Sequence, residues 1–206
     1  MAFAIIDREH WVRREYFDHY FSAVPCAYSM TVKLDITRLR AAGVKLYPAM
    51  LHCLARVVNR HEEFRTAFDE HGNLGIYDCL HPCYTVFHDD TETFSTIWTA
   101  YQEAYAAFEE AYRRDTAAYG GCRRFEAKPD TPANAFNVSM LPWESFESFH
   151  LHLPRGNDYL LPIFTMGRFY EEKGRVLLPL AVQVHHAVCD GFHVCRFIQE
   201  LRQLTA

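Results

Sequence analysis

Helix and strand patterns interleave along this chain, yet its last strands are joined by a plain hairpin turn, Glu171-Glu172-Lys173-Gly174. Interleaving alone would argue for a parallel sheet; the hairpin connection makes it mixed. Together they predict an α+β fold of two layers, a mixed β-sheet covered by helices on one face. No repeat, low-complexity tract or linker breaks the pattern, and half of the 206 residues are hydrophobic, with 15% aromatic. That is enough for one substantial core, so residues 1–206 are expected to form a single domain.

Each element has its own local reason. Residues 9–22 set aromatic and charged side chains at helical spacing, with Trp11, Tyr16 and Phe17 on one side. Residues 27–34 alternate as a strand, and Asp35-Ile36-Thr37 then opens a short helix ending near Gly43. Pro48 stands where a first helical turn tolerates proline, and Met50, Leu51, Leu54, Val57 and Val58 extend that helix to about His61. Residues 64–78 read as a hairpin about Glu70-His71-Gly72-Asn73, followed by strands at 83–88 and 93–98. Tyr101, Tyr105, Phe108 and Tyr112 mark a helix over 101–118 that Gly120-Gly121 stops. After a loop at 129–135, strands are expected at 136–140, 146–151, 161–170 and 175–185. A final helix spans 191–204, with Phe192, Val194, Phe197, Ile198 and Leu201 inward.

Composition narrows the function classes. A net charge of −5 offers no basic excess for nucleic acid. No apolar run approaches the roughly 18 residues of a membrane span. Residues 1–14 carry charges where a signal peptide needs its apolar centre, so a cytoplasmic location is expected. Seven cysteines lie at 26, 53, 79, 83, 122, 189 and 195 with no C-x-x-C pair, the pattern of reduced thiols. Cys79, Cys83, His81 and His88 lack zinc-site spacing, and no metal is expected.

The stretch His185-His186-Ala187-Val188-Cys189-Asp190-Gly191-Phe192 follows the apolar run 177–184. A histidine at a strand end, before a sharp turn, is where a fold can fix an imidazole at a cleft, as a general base requires. Further strings accompany it: Trp11-Val12-Arg13-Arg14-Glu15, Leu34-Asp35-Ile36-Thr37, His81-Pro82-Cys83-Tyr84-Thr85-Val86-Phe87-His88, Thr91-Glu92-Thr93-Phe94-Ser95, Pro142-Trp143 and Phe164-Thr165-Met166-Gly167. In these the chain resembles the type A chloramphenicol acetyltransferases over essentially its whole length. Dihydrolipoamide acyltransferases share the bare H-x-x-x-D-G and the fold, but not the other strings.

The resemblance implies the CoA-dependent acyltransferase fold and a homotrimer with active sites between subunits. It also implies direct transfer of acetyl from acetyl-CoA to the primary (3-) hydroxyl of chloramphenicol in a ternary complex, which confers resistance to that antibiotic. It makes His186 the base, with His185 structural. Ser139 becomes the oxyanion donor and Thr165 the holder of a water near the same intermediate. Asp190, which looks like a dyad partner of His186, is instead expected to pair with Arg13 and shape the histidine turn. Tyr20, Cys26, Phe94, Phe149 and Leu151 fall on acceptor-pocket positions, and Trp143 and Arg168 on positions near coenzyme A.

Two departures stand out. Arg168 and Phe169 occupy positions where the family has lysine and tyrosine. Cys122-Arg123-Arg124-Phe125-Glu126 lies where the family carries an aromatic-rich segment near the acceptor. The rival expectations are therefore the same acetyl transfer to a different small hydroxyl compound, or a trimer that binds ligands without reacting them.

Overall fold

A computed structural model of the chain describes residues 2–153 and 158–205. Strand β1 (Phe3–Ile5) precedes helix α1 (Arg14–Asp18), which widens into a π-helical turn (His19–Ala23) before β2 (Ala27–Asp35). Helices α2 (Thr37–Ala41) and α3 (Leu46–Val58) lead through a 3-10 turn (Glu62–Phe64) to the hairpin of β3 (Thr66–Phe68) and β4 (Leu74–Tyr77). Strands β5 (His81–His88) and β6 (Thr93–Trp98), helix α4 (Tyr105–Tyr119), and strands β7 (Ala135–Met140), β8 (Ile163–Met166), β9 (Tyr170–Glu172) and β10 (Arg175–His185) follow. Helix α5 (Gly191–Thr205) closes the chain.

The large sheet runs β2-β10-β8-β7-β5-β6, with β9 beside β10. The pairs β8–β7 and β7–β5 are parallel and the others antiparallel, so the sheet is mixed as expected. A small antiparallel sheet, β1-β4-β3, stands apart. Helices α2 to α5 pack on the large sheet and on one another.

Alternation along β10 sorts the sheet into two faces. Leu178, Leu180, Val182 and Val184 enter the core with Leu34, Phe136, Val138, Phe164 and Met166. Against them lie Met50, Leu51, Leu54, Val57 and Val58 of α3, Phe108 of α4, and Val194, Phe197, Ile198 and Leu201 of α5. The intervening positions form polar rows across the opposite face. One row is Thr31, Ala181, Thr165 and Ser139; the next is Ser29, Gln183, Ile163 and Asn137.

That second face explains why 146–151 is not the strand its alternation predicts. The segment lies over the polar rows and bonds to their side chains, not to a neighbouring backbone. Ser29 Oγ donates to the Phe149 carbonyl (3.0 Å) and the Phe149 N–H to Thr31 Oγ1 (3.3 Å). The Gln183 amide clamps Leu151 from both sides, accepting its N–H at 2.9 Å and donating to its carbonyl at 3.0 Å.

Other expected elements are shorter or differently placed. The helix expected over 9–22 is regular only from Arg14 to Asp18 before the π turn, and Tyr16 points outward while Phe17 is buried. The helix expected from 101 begins at Tyr105 because the preceding residues bond elsewhere. The Tyr101 N–H donates to His81 Nδ1 (3.1 Å), and His52 Nε2 donates to the Gln102 and Glu103 carbonyls (3.1 Å each). The strand expected over 161–170 is broken: Met166 pairs with Leu180 but Tyr170 with Leu177, so three residues oppose two in a bulge at 167–169. Phe192, expected inward, is exposed at the first turn of α5. The hairpin turn Lys173-Gly174 carries positive φ at both residues, 51° and 74°, which suits a two-residue β-hairpin.

Gln183→Leu should remove both clamps on Leu151. The expected cost is about 1–3 kcal/mol, read as a lower urea midpoint; an unchanged midpoint would show that the segment is held by its aromatic packing instead.

Candidate active site

Strand β10 ends at His185, and the turn beyond it presents His186. The His186 N–H donates to the Cys26 carbonyl (2.8 Å), which ties the turn to the start of β2. Its ring stacks on Tyr20, with centroids 3.8 Å apart and planes within 6°. Tyr20 projects from the π turn, the kind of widened turn often found at functional sites. Tyr28 meets the ring edge-on at 5.3 Å and donates its hydroxyl to the Cys189 carbonyl (3.3 Å). So clamped, His186 keeps 27% of its side chain exposed. His185 is turned inward and buried; its Nδ1 accepts the Ala187 N–H at 3.1 Å.

The carboxylate of Asp190 is gripped by a two-pronged fork from Arg13, at 2.8 and 3.1 Å. Its Oδ1 lies 3.5 Å from His186 Nδ1, beyond the 2.7–2.9 Å of a charge-assisted bond. Arg13 thus holds Asp190 beside the imidazole without a close His–Asp hydrogen bond. The hydrogen bonds from Arg13 hold the Asp190 carboxyl below its usual range.

Ser139 and Thr165 are brought together on neighbouring strands, with their hydroxyl oxygens 3.5 Å apart and Thr165 buried. They do not meet His186. Thr165 pairs with Ala181, five residues before His186 along β10, which is about 16 Å of extended chain. Within one chain the imidazole stands beyond the end of β10, against Tyr20 and Tyr28, while the two hydroxyls stand in the Ala181 row. Phe149 and Leu151 lie on Ser29, Thr31 and Gln183.

The remaining residues flank the hydroxyl end. Trp143 is exposed and meets Phe87 edge-on at 4.5 Å. Arg168 is exposed on the bulge, and its N–H donates to the Glu144 carbonyl (2.8 Å), so Trp143 and Arg168 occupy adjoining turns. Phe169 packs beneath Arg40 (4.7 Å). Phe94 faces Phe125 at 5.8 Å, because 125–127 runs along β6 through Thr96. Arg123 is tied down by Asp90 (3.1 Å) and the Gly121 carbonyl (2.8 Å), so this unusual segment still sets an aromatic ring beside Phe94.

Two contributors escaped sequence reasoning. Tyr28 reads as an ordinary strand aromatic, and Gln183 as a lone polar residue in an apolar run. The signal for Gln183 was that incongruity itself, since a buried amide must be satisfied. Among the described residues no group of His, Cys, Asp and Glu side chains is placed to hold a metal, and no helix is long and apolar enough to cross a membrane.

With this geometry in hand, comparisons with known proteins are specific. A family model described as chloramphenicol acetyltransferase matches residues 1–202. The chain is 58% identical over 204 residues to a chloramphenicol acetyltransferase of Clostridium perfringens, covering 99% of both proteins. It is 57% identical over 204 residues to one of Clostridioides difficile, covering 99% of this chain and 96% of that protein. A solved chloramphenicol acetyltransferase shares the fold over 100% of both chains, with a TM-score of 0.86 at 21% identity. A dihydrolipoamide acetyltransferase of Azotobacter vinelandii shares it over 91% of this chain and 84% of its own, with a TM-score of 0.68 at 19% identity.

A carboxyl whose value is depressed on folding stabilises the fold above its unfolded value, about 3.9, and loses that contribution as pH falls through the lower folded value. Asp190→Asn should therefore be less stable than the parent in urea at pH 7. The gap should close as pH is lowered below about 4; a gap independent of pH would mean that the pair contributes no charge interaction.

Proposed function

The chain belongs to the chloramphenicol acetyltransferase family, and we propose that it transfers acetyl from acetyl-CoA to the primary 3-hydroxyl of chloramphenicol, with His186 as general base. The observation that carries this reading is the His186 ring, stacked on Tyr20, partly exposed, and set beside a carboxylate already committed to Arg13. The protein works in the cytoplasm as one domain over residues 1–206, and the acetylated drug is the basis of resistance.

The transfer is direct, in a ternary complex. The neutral imidazole takes the hydroxyl proton as the alcohol oxygen bonds to the thioester carbonyl carbon, worth roughly 10²–10⁴ in rate. Ser139 donates to the oxyanion of the tetrahedral intermediate, worth about 10²–10³ in turnover, and Thr165 holds a water beside it. When the C–S bond breaks, the departing thiolate takes the proton back from the imidazolium, leaving ester and free thiol. Arg13 and Asp190 support the histidine turn. Tyr20, Cys26, Phe94, Phe149 and Leu151 line the acceptor pocket, apolar as a nitrophenyl ring requires. Trp143 and Arg168 receive coenzyme A, the indole against its body and the guanidinium on phosphate.

The active site is shared between protomers of a homotrimer. What supports this is the separation of about 16 Å along β10 between His186 and the row of Ser139 and Thr165. Backbone positions so far apart favour a site in which a second copy supplies the missing half.

His186→Ala should lower turnover by several orders of magnitude, in line with loss of a base worth up to about 10⁴, while leaving the fold intact; thiol release from acetyl-CoA with chloramphenicol measures it, and retained turnover would remove the role assigned to this ring. Ser139→Ala should cut kcat by about 10²–10³ with little change in chloramphenicol KM; an equal loss in both would point to a ground-state contact. Mixed oligomers refolded from His186→Ala and Ser139→Ala subunits should recover activity that neither variant has alone, and failure to complement would argue for a site within one chain. The same assay with a panel of small alcohols, and with no acceptor, separates a different acceptor and a non-reacting ligand binder from this reading.

A further inference from the structure

We propose that His193 is a positioning residue for this reaction: its neutral ring holds the Asp190 turn so that the carboxylate remains free for Arg13 beside the base. The inference rests on the reading of His186 as that base.

Asp190 immediately precedes Gly191, the first residue of α5, and His193 comes three residues later. The Asp190 N–H donates to His193 Nδ1 at 2.9 Å, and the His193 N–H donates back to the Asp190 carbonyl at 3.0 Å. The first of these bonds is the capping-box bond, with an imidazole where a Glu or Gln ordinarily accepts. Because Nδ1 accepts, the neutral ring carries its proton on Nε2. Asp190 Oδ2 lies 3.8 Å from the same Nδ1, where a lone pair already directed at an N–H offers it nothing. The carboxylate therefore turns to Arg13, and from there stands 3.5 Å from His186.

Protonating Nδ1 reverses both effects. The ring loses the lone pair that fixes the Asp190 N–H, and gains a cationic donor that competes with Arg13 for Oδ2. The charged and titratable groups around it are Arg13 before α1, Glu63 on the 3-10 turn, Arg196 of α5 (itself paired with Glu63), Asp190, and His186 and Cys189 in the turn. Burial pushes the His193 ring below the ordinary histidine value, which favours the neutral, accepting form at neutral pH.

Two substitutions and one spectrum test this. His193→Ala removes the acceptor and should lower kcat about tenfold, the size of a lost cap, with KM for both substrates changed less than about twofold. His193→Gln keeps an acceptor that never gains a proton, and should restore kcat to within about threefold of the parent. In the parent, the acid fall of kcat should include a further step of about tenfold as His193 takes up its proton, and that step should be absent in His193→Gln. Nitrogen NMR of the labelled parent should report an unprotonated Nδ1 on His193 at pH 7.5, whether or not any variant folds. A proton on Nδ1, or a His193→Gln variant as impaired as His193→Ala, would overturn the proposal. Turnover retained by His186→Ala would instead sink the base assignment, a separate failure.

Discussion

Strand β10 is obliged by its pleat to serve two faces at once, and the rest of the molecule is arranged around that obligation. Every second residue, from Leu178 to Val184, is taken up by hydrocarbon from α3 and α5. The residues between them have no helix to meet. They are small or polar, and their register with β2, β8 and β7 sets Thr31, Ala181, Thr165 and Ser139 in one line. A shift of one residue in any of these pairings would bury the hydroxyls and expose the leucines, so the core enforces the polarity of the opposite face. The segment 146–151 covers part of that face, held by the side chains of Ser29, Thr31 and Gln183.

At the end of β10 the constraint changes from packing to charge. The His186 turn is closed by a guanidinium from near the other end of the sequence, two hydrogen bonds from Arg13 reaching Asp190 across 177 positions. Tyr20, on the same N-terminal segment, supplies the stacking surface. Aromatic contact and ion pair restrict the imidazole from different directions, and neither makes a close hydrogen bond to its nitrogens. A ring held this way keeps its orientation without a short hydrogen bond to Asp190.

Much of this was legible in the residues. The apolar run before His186, the hairpin turn at Lys173-Gly174, the α3 pattern from Pro48 and the stop after Tyr119 all follow from local rules, and each element lies where expected. The expectations that failed did so for tertiary reasons. Residues 101–104 have helical spacing, but His52 and His81 take their backbone groups. Residues 146–151 alternate like a strand, but their partners are the side chains of Ser29, Thr31 and Gln183. Phe192 has the spacing of a core residue, yet stands exposed at the first turn of α5. For the candidate site, the resemblance named His186, Asp190, Arg13, Ser139 and Thr165, whereas Tyr28 and Gln183 were not named. Nothing in a one-dimensional pattern says which face of an aromatic will meet an imidazole.

What the sequence by itself determined was most of the helices and strands, the family, and which side chains are candidates for the chemistry, because those depend on local propensity and on specific strings. Only the tertiary structure decided how far apart they stand. Pairing of Thr165 with Ala181 and not with a residue nearer His186 is a matter of strand register, set by how leucines and phenylalanines interlock under the sheet. That register leaves five residues of chain, roughly 16 Å when extended, between Ala181 in the hydroxyl row and His186, a placement no motif contains.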